Sequence, residues 1–316
     1  MSLQLETASP NTYGPPRPNP WGKVLLITAV ALGIYTVVRL LPTGTNLSHM
    51  DFRAGAGSIE FCDPANPQFL PVVSVRSPVA MTLVPNGSTE PLQPMRMTLQ
   101  LKTLTGKAIA PEDLLVVHTE KLHLLIVDPT LQDYQHVHPA PGALPGEWAF
   151  SFTPRRAGLY RVFADFTPAA TQRGLYASAD LQVGSSGAGS TEEERVQPTS
   201  AYAEGGYRFE LHSLQTPTAG KIVDFSFSVA RSDGGAVKLE PVMGAFAHLV
   251  AFDESRSGFA HLHPNEIGLN YPLDAAAPTL TFKVTFPRPG KYVVWAQVRL
   301  KGSERFVPFG IEVGPN

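Results

Sequence analysis

With one cysteine, Cys62, in 316 residues, the chain cannot form an intrachain disulfide. A small fold held by crosslinks is therefore excluded. Charge is also scarce: Asp, Glu, Lys and Arg make up 16% of the chain, against ~25% in an average soluble protein. The two signs nearly cancel, 25 basic to 27 acidic residues, so no net field draws in nucleic acid or acidic lipid. Beyond residue 42 no segment sustains an apolar residue every 3.6 positions, which excludes a helical bundle or coiled coil. The common catalytic signatures are missing from the sequence: H-E-x-x-H, C-x-x-C, G-x-S-x-G and the P-loop. Gly106-Lys107 and Gly220-Lys221 lack both the following Ser/Thr and the upstream glycine that a P-loop needs. The expectation is a non-enzymatic protein that binds no nucleic acid.

What the chain does have is turn-formers, 30 prolines and 27 glycines, between short β-rich runs. The runs at 95–104, 121–128, 146–152 and 159–166 are followed by a second series at 222–230, 247–253, 280–286 and 291–298. Between the series, 185–203 is small, polar and charged, as a flexible linker is. The predicted class is all-β: two tandem immunoglobulin-like or cupredoxin-like sandwiches, 73–184 and 204–316. Residues 1–20 are polar and proline-rich and are expected to be disordered, with 43–72 as an extended connecting segment. Residues 21–42 hold the apolar run Val24–Val38 between Lys23 and Arg39, with Trp21 placed as an interfacial aromatic. The run reads as a single uncleaved transmembrane anchor rather than a signal peptide. A short basic leader and an A-x-A cleavage site are both lacking. The bulk of the chain would then lie on the extracytoplasmic side.

The two series are copies of one unit. Adding 125 carries His123 to His248, Asp128 to Asp253, His136 to His261 and His138 to His263. Only eight of 26 aligned pairs are identical across 114–139 and 239–264, and three of the eight are histidines. Further on the offset becomes 132, pairing Tyr160 with Tyr292 and Phe163 with Trp295, all four expected in the sandwich cores. Asp128 and Asp253 read as turn residues. An even-length hairpin loop centred on 128–133 pairs positions that sum to 261, setting His123 opposite His138 with His136 on the same face. Three imidazoles would then reach one ion at ~2.0–2.1 Å, whereas an odd-length loop would break the cluster.

Position 118 differs between the copies, His118 in the first and Met243 in the second. The predicted ligands are His123, His136 and His138 with His118 auxiliary, and His248, His261 and His263 with Met243 auxiliary. A thioether is a soft donor, so the His/Met exchange favours copper, with zinc as the alternative. A blue-copper centre is excluded because no cysteine lies in either hairpin. The competing reading makes these histidines hydrogen-bonding structure. His49 and His212 stand apart as surface or packing residues, and Cys62 reads as an inert thiol.

The stretches Lys121–Pro139 and Ala247–Pro264, each followed by a G-x-Y strand at Gly158 and Gly290, resemble the YtkA-like or heavy-metal-binding proteins of the bacterial envelope. The resemblance implies sandwich domains outside the cytoplasm, on the periplasmic face of the inner membrane. The second copy departs from the pattern, with Phe246 in the place of Lys121. The leading expectation is an anchored metal-binding protein for delivery, sequestration or resistance, partnered by the bilayer and by a metal acceptor or membrane complex. The alternative is a docking or accessory subunit of such a complex. A metal-dependent hydrolase or oxidase is a third, weaker reading.

Overall fold

The computed structural model describes residues 21–40, 47–52, 68–185, 197–266 and 268–316. The tail 1–20, Cys62 and most of the expected linker lie outside the described residues. Residues 21–40 form one helix, α1 (Trp21–Leu40), in a unit of its own, and 44–316 form a second compact unit. The α1 side chains are described as far as Val37, and among the described residues no helix is long and apolar enough to cross a membrane.

Two β-sandwiches make up the second unit. Module 1 contains β1 (Val79–Pro85), β2 (Met95–Thr103), β3 (Leu122–Val127), β4 (Tyr134–Val137), β5 (Ala140–Pro141), β6 (Glu147–Phe152), β7 (Gly158–Phe166) and β8 (Leu175–Val183). Module 2 contains β9 (Ala201–Glu204), β10 (Tyr207–Ser213), β11 (Ile222–Arg231), β12 (His248–Asp253), β13 (Phe259–Leu262), β14 (Thr279–Thr285), β15 (Gly290–Leu300) and β16 (Ser303–Val313). The sheets run β1-β2-β6-β5 and β4-β3-β7-β8 in the first module, β14-β11-β10-β9 and β13-β12-β15-β16 in the second. Every strand pair within them is antiparallel. Module 2 starts at Ala201, inside the stretch expected to be linker.

Period-two alternation sorts the side chains. On β2, Met95, Met97, Leu99 and Leu101 point inward and meet Leu122, Leu124 and Ile126 of β3 and Tyr160 and Val162 of β7. Module 2 repeats this with Phe225, Phe227 and Val229 of β11 against Leu249, Ala251, Tyr292 and Val294. Yet β3 is buried on both faces. Its outward residues Leu125 and Val127, with Tyr134 and Phe163, pack against Val250, Phe252, Phe259, Val293 and Trp295 of module 2. The two sandwiches therefore share a third apolar core between them. Phe163 and Trp295, expected inside the sandwiches, belong to this shared core, while Tyr160 and Tyr292 are inside as expected. The correction has a simple cause: sequence alternation shows which residues share a face, and a second module can bury either face.

The expected connecting segment is tied to both modules. Leu47 and Phe52 enter the core of module 1, while Phe69 enters that of module 2. Leu70 exchanges backbone hydrogen bonds with Phe259 at 2.7 and 3.1 Å. Gly258 permits this crossing, because a Cβ there would lie 1.7 Å from the Leu70 carbonyl oxygen.

Candidate metal centres

The hairpin loop determines where the histidines fall. Asp128 closes the six-residue connection Asp128–Asp133. Its buried carboxylate accepts from the backbone N–H groups of Thr130, Gln132 and Asp133 at 3.0, 2.8 and 2.9 Å. Asp253 does the same in module 2, accepting from Ser257 N–H at 2.7 Å and from the Ser255 and Ser257 hydroxyls. Such side-chain-to-backbone bonds fix a turn. The loop length is even, and the ladder pairs Leu124 with Val137 and Leu125 with His136, positions that sum to 261. In module 2 Leu249 pairs with Leu262 and Val250 with His261. Each trio therefore lies on one face, the face turned toward the other module.

The rings converge. In module 1 the His123–His136, His123–His138 and His136–His138 centroids are 5.3, 4.8 and 4.8 Å apart. In module 2 the corresponding distances are 5.4, 4.8 and 5.0 Å. Three imidazoles bonded to one ion at ~2.0–2.1 Å would place their centroids ~4.5–5.5 Å apart at bond angles near tetrahedral. In each trio one ligand atom from every ring lies within 4.8 Å of the others. His123 Nδ1 is 3.2 Å from His136 Nε2 and 3.1 Å from His138 Nε2, and His248 Nδ1 is 3.3 Å from His261 Nε2. Two nitrogens on a tetrahedral ion would be ~3.3 Å apart.

Neighbouring acceptors set the tautomers. His123 Nε2–H donates to the Val117 carbonyl at 3.0 Å, and His248 Nε2–H to that of Val242 at 3.1 Å. His136 Nδ1–H donates to Gln297 Oε1 at 2.9 Å, and the Gln297 amide is held by donation to Glu304 Oε2 at 2.9 Å. His261 Nδ1–H points to Asp165 Oδ2 at 3.4 Å. In each module two lone pairs thus face one another across ~3.3 Å. His263 Nε2 is buried with no hydrogen-bond partner. Converging lone pairs in a buried site repel unless a cation or a donated N–H lies between them; His138 Nε2, 3.1 Å from His123 Nδ1, can give such an N–H to His123, while nothing donates to His263 Nε2 among the described residues. A proton is disfavoured there. Burial, then the neighbouring histidines, hold His136, His248 and His261 well below the usual imidazole range. Burial takes His263 to about 3. Neutral imidazoles with inward lone pairs are the form that ligates metal.

The modules also serve each other's rings. Gln297 of β15 orients His136, and Asp165 of β7 faces His261. Asp165 and Gln297 are counterparts at offset 132. Neither had been singled out among the candidate residues, although the repeat arithmetic was enough to pair them. His118 departs from expectation. At φ +50° it corners a tight turn and reaches across to stack on His263 of module 2, with centroids 4.0 Å apart, while His123 of its own module is 6.4 Å away. Stacking at 4.0 Å is too close for two rings sharing an ion, so His118 flanks the second trio. Met243 takes the equivalent corner at φ +49° and is half-buried. His212 is on the surface beside Glu210, as expected. The His49 side chain lies outside those described. A cleft of about 540 Å³ reaches the rings from solvent, lined by His118, Lys121, His123, Asp165, His261 and His263 among others.

A tandem β-sandwich protein with a three-histidine cluster on each module, both turned into the shared interface, is the class that this fold and site define. The model described as "Domain of unknown function (DUF8832)" matches each module, over 76–183 and 201–314, and the chain belongs to that family. No curated protein matches the chain. Among solved structures it is similar to trypsin-activated alpha-2-macroglobulin from Escherichia coli (14% identity, 75% of this chain and 18% of that one, TM-score 0.25). It is also similar to an ICAM-5 D1–D4 ectodomain fragment (14%, 75% and 54%, 0.24) and to fibronectin(III)-like modules of Clostridium thermocellum CbhA (8%, 75% and 95%, 0.19). The chain spans about a fifth of the first of these and about half of the second. Likenesses at these TM-scores say nothing about function, and none of the comparisons bears on the YtkA-like resemblance or on metal.

Proposed function

We propose that this chain is a membrane-anchored, extracytoplasmic metal-binding protein that holds one ion in each histidine trio and serves in metal delivery, sequestration or resistance. One observation carries the reading: two adjoining sets of converging imidazoles, His123 with His136 and His248 with His261 at ligand spacing, the sets meeting where the His136 and His261 centroids lie 5.6 Å apart, with His263 Nε2 buried and unpartnered in the second. Three neutral imidazoles suit copper and zinc alike. Copper is the first assignment, because Cu(I) is satisfied by few ligands and the repeat exchanges His118 for the thioether Met243 at one position; zinc is the alternative. The sandwiches belong to the immunoglobulin-like or cupredoxin-like type in this reading, and the YtkA-like hairpins support an envelope location. Anchoring rests on the sequence alone, on the apolar run Val24–Val38 set between Lys23 and Arg39 with Trp21 as an interfacial aromatic; α1 itself is not long and apolar enough to cross a membrane. The bilayer is one partner, and a metal acceptor or membrane complex is the other.

The test is titration of the detergent-solubilised full chain, carrying no His-tag, with Cu(I), Cu(II) and Zn(II). Close to two equivalents should bind, falling to one when His123, His136 and His138 are all replaced by Ala. Binding no tighter than micromolar in the intact chain overturns the reading. It would favour the second one, an accessory subunit whose histidines are structural. The cross-module contacts of His136 with Gln297 and of His261 with Asp165 support that alternative.

A further inference from the structure

The two sites differ in the group that each central ring faces. His261 points its Nδ1–H at a carboxylate, Asp165, while His136 donates to a neutral amide, Gln297. Module 1 does have a carboxylate behind its ring, Glu304, but one hydrogen bond further out, beyond Gln297. Asp165 is also the cross-strand neighbour of His123, so its charge reaches both trios through space. Among the described residues, His261 is the one that presents it with an N–H. The Asp165 side chain is 17% exposed, enough for the cleft to reach it but too little for water to screen it fully. A carboxylate behind a metal-bound imidazole makes the ring a stronger donor and offsets the ion's charge. The benefit grows with that charge.

We infer that the two centres are inequivalent, the module 2 site (His248, His261, His263) preferring a divalent ion and the module 1 site (His123, His136, His138) a monovalent one. The repeat has kept both ligand sets and changed the group behind one ring. One chain can then hold Zn(II) or Cu(II) beside Cu(I), with the solvent cleft reaching both sites and His118 flanking the divalent one.

This inference rests on the metal-binding reading, and the experiment separates the two. The full chain is titrated with Zn(II) and, separately and anaerobically, with Cu(I). Sites are assigned with H138A and H263A, each of which removes one half-buried ligand. Zinc should fill the module 2 site first. Asp165→Asn should weaken zinc there by ~10–100-fold while changing Cu(I) affinity several-fold less. The reciprocal Gln297→Asp should move the zinc preference toward module 1, which a merely structural role for position 165 would not produce. If Asp165→Asn fails to fold, Gln297→Asp carries the test alone. Two equal zinc sites in the parent chain overturn the inference, as does an Asp165→Asn variant that weakens both metals alike. No binding of either metal overturns the metal-binding reading itself.

Discussion

Within each module two apolar faces are buried by different means, and the difference explains where the histidines ended up. The inner faces of β3 and β12 meet the opposite sheet of their own sandwich and carry Leu, Ile and Ala, apart from the turn residue Asp253 at the end of β12. The outer faces meet the other module and mix aromatic rings with imidazoles: Leu125, Val127 and Phe163 beside His123 and His136, and Val250, Phe252 and Trp295 beside His248 and His261. An inner face that contained a histidine would strand a polar ring among hydrocarbon. The outer face tolerates several because the partner module brings acceptors to meet them, Gln297 to His136 and Asp165 to His261. The interface is therefore both a core and a polar site, and each module completes the other's.

The largest expected effect comes from the apolar half of that interface. Phe252 is fully buried between Phe163 and Tyr134. Phe252→Ala should cost about 3–5 kcal/mol in denaturant unfolding. A cost below ~1 kcal/mol would mean that the modules are not held face to face.

The two turns sharpen the comparison between modules. The Asp128 carboxylate is buried and accepts three backbone N–H groups, whereas Asp253 is half-buried and accepts one. Asp128→Ala should cost about 2–3 kcal/mol and Asp253→Ala about half that, the losses following the donors left unsatisfied. Equal costs would contradict the reading of Asp128 as the firmer register lock.

Acid probes the polar half. The folded-state values of His136, His248 and His261 lie well below the ~6.5 of an unfolded histidine, burial being the main cause. Between those limits the unfolded chain takes up protons that the folded one does not. Stability is therefore full above pH 6.5 and falls as pH drops below it, by up to about 1.4 kcal/mol per pH unit for each such ring. Metal-free protein followed by thermal melting from pH 7.5 to 5 should show this loss, and His136→Ala should flatten it. The smallest effect belongs to a control: exposed His212→Ala should change stability by no more than about 0.5 kcal/mol.

Much of this was legible in the residues. The β class and the duplication followed from turn residues and from two constant offsets. The hairpin register followed from the parity of one loop, and it set the three histidines of each hairpin on one face. The rest depended on how one module sits on the other. His118 looked auxiliary to the trio nearest in sequence, and its turn instead aims it at His263. Phe163 and Trp295 were recognisable as buried but not as buried by a neighbouring domain. Asp165 and Gln297 are ordinary polar residues on strands until the other module's histidines face them. Packing between repeated modules leaves little trace in local pattern, because the same alternation suits a solvent-facing sheet and a sheet-facing one.

The central claim is that each trio of lone pairs closes on one ion. The most direct measurement is X-ray absorption at the metal edge of the full chain loaded with two equivalents of copper or zinc. The account predicts a nearest shell near ~2.0 Å with about three imidazole nitrogens per ion and the outer scattering of their rings. A shell of oxygen alone, or the same spectrum from a chain lacking all six trio histidines, would contradict it.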